Sequence, residues 1–207
     1  MTWSTLILYI ASSAKYGWLA IRGKISPVLT TWLFLEFTMI QSCWIYWHTD
    51  NPSFTRNIGN TGGLVSCTMI FVPVLIRHLR DHGWKMQFEP FERFCFFLGG
   101  LILIFWWRTD DADHAYVLMQ LLALIAVCAT AWKLWYAEEN TEPLDVWEAI
   151  FVGGLTALYP AIVLDIWQSK LFLARNLFST GSVIVLICRL EWNHLLREID
   201  AMRWPME

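Results

Sequence analysis

Charge is scarce in this chain. Asp, Glu, Lys and Arg make up 16% of its 207 residues, against about a quarter in a soluble domain. A soluble fold of this length needs a charged shell, and this one has too little to build it. The 57% of hydrophobic residues come in long blocks, and mean hydropathy is +0.44. Such a composition belongs in lipid. Paired cysteines are also missing. Cys43, Cys67, Cys95, Cys128 and Cys188 stand singly, without C-x-x-C spacing, so neither a disulfide framework nor a zinc site is expected. No H-E-x-x-H, nucleotide-binding loop or Ser-His-Asp arrangement is legible, so the chain is not expected to be an enzyme or to hold a cofactor or metal. The net charge of −3 gives no electrostatic case for nucleic acid. Nor is a cleavable signal peptide expected: the first residues carry no Lys or Arg, and Lys15 interrupts the apolar run.

What remains is a series of apolar blocks. In lipid each must close its own backbone hydrogen bonds, so each reads as a helix. They cover roughly 2–21, 27–48, 60–80, 90–108, 113–136, 145–167 and 171–192, each near the twenty or so residues that cross a bilayer. Turn-forming residues separate them: Gly23 with Ser26 and Pro27, then Asp50-Asn51-Pro52, Asp81-His82-Gly83, Asp110-Asp111, and 138–143. A last break falls near 168–170. The fold class expected is all-α, a polytopic membrane protein of seven transmembrane helices.

Lys and Arg in short loops set orientation. Arg22, Lys24, Arg77, Arg80, Lys85, Arg93, Lys133, Arg189, Arg197 and Arg203 fall on one side. Only Arg56, Arg108, Lys170 and Arg175 fall on the other. The asymmetry predicts an N-terminus outside and a C-terminus in the cytoplasm, which an odd number of spans permits. Residues 193–207 read as the last helix running out as an amphipathic cytoplasmic tail with Leu195, Leu196 and Trp204.

The chain also echoes itself. Gly23–Trp32 (G-K-I-S-P-V-L-T-T-W) and Ala137–Trp147 (A-E-E-N-T-E-P-L-D-V-W) are both polar runs with a Pro and then a Trp, set between apolar blocks. An offset of about 115 residues lays Pro27 near Pro143, Trp32 on Trp147 and Asp50 on Asp165. Residues 1–81 and 113–192 then form two parallel three-helix bundles, and 90–108 is a linker helix that lets the second enter with the orientation of the first. This 3+1+3 plan resembles the SWEET sugar carriers and the wider PQ-loop group. More closely, Tyr16–Trp32 is similar to small bacterial seven-helix proteins of unknown role in which a basic G-K-x-x-P motif precedes a Ser/Thr-Trp pair. Gly23, Lys24, Pro27, Thr31 and Trp32 fit it, whereas the Pro-Gln dipeptide is absent from both halves. The resemblance implies transport of a small polar solute at a midplane site between the halves. The alternative is a non-transporting accessory subunit of a larger membrane complex. Partners expected are membrane lipid, a small polar solute, and a second copy of the chain or a larger complex. The location expected is a plasma membrane, the inner membrane of a bacterium.

Glu36 is the sharpest candidate residue. It lies nine residues into its block, about 13 Å deep at about 1.5 Å per residue. A carboxylate there is costly and is by default a functional group. Lys15 is about 10 Å deep from the same side on the neighbouring block, so an ion pair with Glu36 is expected, either as part of a solute site or as a structural lock. Thr130 and Phe151 occupy the matching positions of the second half. Trp32 and Trp147, slightly inside the interface, could close over a solute. Gln41, Ser42 and Gln120 are polar groups within spans, suited to interhelical hydrogen bonds or to contact with a solute, with Gln41 and Gln120 counted among the candidate substrate-binding residues. Gly99-Gly100 and Gly153-Gly154 allow close helix approach, and Trp44, Trp47, Trp84, Trp106, Trp107 and Trp167 read as an aromatic belt. His78 and His82 share a face with no third ligand evident.

Overall fold

The computed structural model describes residues 2–47, 57–83, 90–109, 111–165 and 167–203. The expectations for Asp50, Asn51-Pro52, Arg56, Trp84, Lys85, Asp110 and Trp204, and for the side chains of Cys95 and Arg203, lie outside them. The described residues are helical throughout apart from their connecting turns, with no strand. In order they form α1 (Thr2–Ile21), α2 (Leu29–Trp47), α3 (Ile58–His82), α4 (Pro90–Thr109), α5 (Ala112–Tyr136), α6 (Leu144–Val163) and α7 (Trp167–Arg203). Four segments are long and apolar enough to cross a membrane: Ile58–His82, Asp113–Tyr136, Leu144–Val163 and Trp167–Ile199. They are consistent with an integral membrane protein. α1 and α2 have comparable length, but carry Lys15, Glu36 and several Trp and Tyr among their apolar residues.

Local chemistry sets the helix ends. Gly23 and Gly83 follow α1 and α3 at φ +72° and +63°, a left-handed conformation open to a residue without Cβ. Asp111 caps α5, its side chain accepting from the His114 backbone N–H at 3.0 Å. The α6–α7 break comes earlier than 168–170. Pro160 leaves the last turn of α6 to close through the Leu164 N–H, which donates to the Pro160 carbonyl at 3.0 Å. Asp165 then turns the chain at φ +51°, and its carboxylate bonds Lys170. Trp167 therefore opens α7 and does not close α6.

No hydrophobic force draws apolar helices together in lipid, so close packing and interhelical hydrogen bonds must hold them. α1 packs on α3 and α6, α2 on α3 and α5, and α7 on α5 and α6, while α4 leans on α5. The order round the ring is α1, α3, α2, α5, α7, α6. Exchanging α1, α2 and α3 for α5, α6 and α7 maps each contact of this ring onto another. At the α1–α3 crossing a Cβ on Gly17 would meet the Met69 carbonyl and Pro73 at 2.8 Å. Tyr9 of α1 fills the space left by Gly62 of α3 and Gly153 of α6. The two seams between the halves are stitched alike. Thr5 bonds Thr156 across α1–α6 at 2.8 Å, and Thr130 bonds Thr31 across α2–α5 at 3.1 Å.

The ends of α1 and α5 are closed in matching ways. A helix leaves its last four carbonyls without intrahelical partners. Arg77 of α3 donates from Nη1 to the Ala20 carbonyl at 3.1 Å and also to that of Ile25. Arg189 of α7 donates from Nη2 to Leu134 and Trp135 at 3.1 and 2.8 Å. Lys133 reaches the Ser26 carbonyl, so Arg77, Lys133 and Arg189 gather at the ends of α1 and α5 as one basic face.

Candidate functional site

Lys15 and Glu36 do not meet. α3 lies between α1 and α2 in the ring, and the two side chains leave on different sides of it. Lys15 pairs with Asp145 of α6, and both side chains are about half exposed, at 51% and 56%. Glu36 Oε1 accepts from Thr68 Oγ1 of α3 at 2.7 Å, and its buried Oε2 has no partner. Gln41 is half-buried on α2. Gln120 is fully enclosed, donating from Nε2 to Ser42 Oγ at 2.9 Å and accepting from Arg175 Nε at 3.2 Å.

Trp32 and Trp147 are brought together, as a pair over a solute would require. They start α2 and α6 at equivalent places, and the seam contacts turn both inward. Their ring centroids are 6.0 Å apart, and Tyr16 of α1 packs 5.1 Å from Trp32 and 6.5 Å from Trp147. One buried carboxylate ties the group. Glu142 Oε2 accepts from Tyr16 Oη at 2.7 Å and from Trp147 Nε1 at 3.2 Å, and Trp32 Nε1 donates to Tyr16 Oη at 3.3 Å. Glu142 is 3% exposed, and its Oε1 has no partner. Burial pushes its carboxyl above the usual carboxylate range; the Tyr16 and Trp147 hydrogen bonds and the Lys133 charge pull the other way. The result is an aromatic plug just inside the basic face.

Beneath the plug lies a cavity of about 40 Å³, room for a few water-sized guests. Both halves line it: Tyr9, Met39 and Ser66 from one, Phe172, Arg175 and Asn176 from the other, with Trp32 and Trp147 as its roof. Glu36 and Gln41 are not on its wall. Arg175, expected among the loop cations of the outer side, instead sits eight residues into α7, about 12 Å from its start. Its Nη2 is buried with no partner, and Phe172 lies under the guanidinium at 5.0 Å. Among the described residues no carboxylate is within ion-pair distance of it, and no group of His, Cys, Asp or Glu could hold a metal.

Three of these residues were not candidates on sequence. Glu142 falls in the polar run 138–143, which reads as a turn, and the 115-residue offset lays it on Pro27, so nothing in the sequence marks its burial. Tyr16 likewise carries no signal. Arg175 becomes legible only once α7 is started at Trp167.

Comparison with known proteins adds nothing to this geometry: no family model, no curated protein and no solved structure matches the chain.

Proposed function

We propose that the chain is a carrier or facilitator of a small polar solute, built as two three-helix units, α1–α3 and α5–α7, joined by α4. The observation that carries this reading is the cavity between the two units, roofed by the paired Trp32 and Trp147. The contact pattern of the ring, unchanged on exchange of the two units, supports the parallel repeat and with it the likeness to the SWEET and PQ-loop plan. Carriers of that kind bind at the junction of their repeats and rock the repeats about it. The plug closes the junction toward the basic face, which the distribution of Lys and Arg assigns to the cytoplasm of a plasma membrane. Moving Arg175 from loop to interior sharpens that assignment, because the opposite face loses a cation.

Uptake into liposomes carrying the purified chain tests the reading, with a panel of labelled small acids, polyols, amines and sugars. Saturable uptake of one class, together with faster leak of that class in Trp32→Ala or Trp147→Ala, is the expected result. Liposomes no more permeable than empty ones to the whole panel would rule a carrier out.

A second reading, an accessory subunit, draws on α4. This helix packs on α5, and Phe97, Ile104 and Trp107 face outward at 65%, 56% and 86% exposure. A partner protein held on that face through mild-detergent purification, and lost with Trp107→Ala, would favour it.

A further inference from the structure

From the state of the cavity's polar groups we infer that the solute is a small carboxylate, with Arg175 as the group that binds it; this rests on the carrier reading above. Most hydrogen-bonding side chains on the cavity wall are already engaged. Asn176 donates to Tyr9 Oη at 3.4 Å. Ser179 and Thr180 donate to the Asn176 carbonyl at 3.1 and 2.7 Å. Ser66 bonds Ser13. Among the described cavity-lining residues, Arg175 Nη2 is the one buried side-chain nitrogen or oxygen left without a partner. A buried donor without an acceptor calls for an explanation, and a buried charge without a counter-charge costs more still. In lipid such a charge marks a ligand or ion path.

The surroundings select the ligand. Gln120 holds Nε from one side and Phe172 supports the guanidinium plane, so the fork is fixed with one edge unspent. A guanidinium edge matches the two oxygens of a carboxylate in a way that a halide or a hydroxyl cannot. One uncompensated cation takes one negative charge, which excludes dianions. The volume of about 40 Å³ limits the solute to the smallest carboxylates, and the apolar remainder of the wall (Tyr9, Met39, Phe172, Ile150) faces the carbon end. A cationic solute would meet Arg175 head on and is excluded.

The test is equilibrium binding of radiolabelled lactate to the purified full-length chain in detergent, with lactamide, chloride and glycerol as competitors, followed by uptake of the same lactate in liposomes. Lactate should bind and lactamide compete at least roughly tenfold more weakly, with chloride and glycerol weaker still. Arg175→Gln should lose binding by roughly tenfold or more, and Arg175→Lys should keep part of it. Melting separates this from a packing role. Removing an unneutralised buried charge leaves the unliganded protein as stable as before or more so, whereas loss of a structural Arg lowers the melting temperature. Arg175→Gln that melts well below wild type yet binds lactate as wild type does overturns the inference. So does chloride binding as tightly as lactate. If glycerol or a sugar crosses liposomes while lactate neither binds nor crosses, the carboxylate fails and the carrier stands. If lactate binds through Arg175 but does not cross, the carboxylate site stands and the carrier fails.

Discussion

Glu142 is buried and Arg175 partly buried, each with one buried polar atom left unsatisfied, and their surroundings give them opposite jobs. Glu142 accepts from Tyr16 and Trp147 and belongs to the closure; Arg175 has a free edge and belongs to the space beneath. The Glu142 carboxyl titrates above the usual carboxylate range because burial disfavours its charged form. The folded chain therefore holds a proton that the unfolded chain has already released, and over that window stability falls as pH rises. Melting temperatures measured across mildly acidic to neutral pH should fall with rising pH through this group, and Glu142→Gln should flatten that part of the profile. The amide introduced by this substitution keeps an acceptor for Tyr16 and Trp147 without the charge, so at neutral pH the variant should be no less stable than wild type. An unchanged pH profile would assign the dependence to another group.

At the scale of helices, packing depends on a few small residues and on the closure of helix ends. Gly153→Val would push a branched side chain into the Tyr9 ring, which a Cβ alone already meets at 3.1 Å. Overpacking of this kind costs about 1–3 kcal/mol, read as a lower melting temperature, and Tyr9→Leu in the same chain should recover part of it. A Cβ added at Gly100 would have nothing within 4 Å, so Gly100→Ala should leave melting unchanged. Much of this level was legible in the sequence, because lipid forces apolar blocks into helices and turn residues separate them. Pro27 and Pro143 with Trp32 and Trp147 gave the expectation of a repeat, and the helix contacts of the ring are unchanged on exchange of α1–α3 for α5–α7. What the sequence hid was side-chain direction. Depth along a block placed Lys15 level with Glu36, but depth says nothing of azimuth, and the order α1, α3, α2 puts a helix between them. The break near 168–170 had a larger effect, moving Arg175 from the cavity wall toward the outer loops. Starting the last helix at 171 and not at Trp167, about one turn late, changed the chemistry of the site.

For the whole molecule, the basic face gives the orientation its test. Reporter fusions at the N-terminus and after residue 203 should report the outside and the cytoplasm respectively; a cytoplasmic N-terminus would reverse the reading and put the aromatic plug on the outer side. Arg77 and Arg189 also bear on how the chain is made. Each satisfies carbonyls of a helix that leaves the ribosome well before it does: Ala20 precedes Arg77 by 57 residues, and Leu134 precedes Arg189 by 55. At roughly 5–20 residues per second of synthesis, the end of α1 waits several seconds for its partner, and the end of α5 then waits as long. The two closures thus run on the same clock: α3 closes the end of α1, α7 closes that of α5, and Arg77 has emerged before α5 begins.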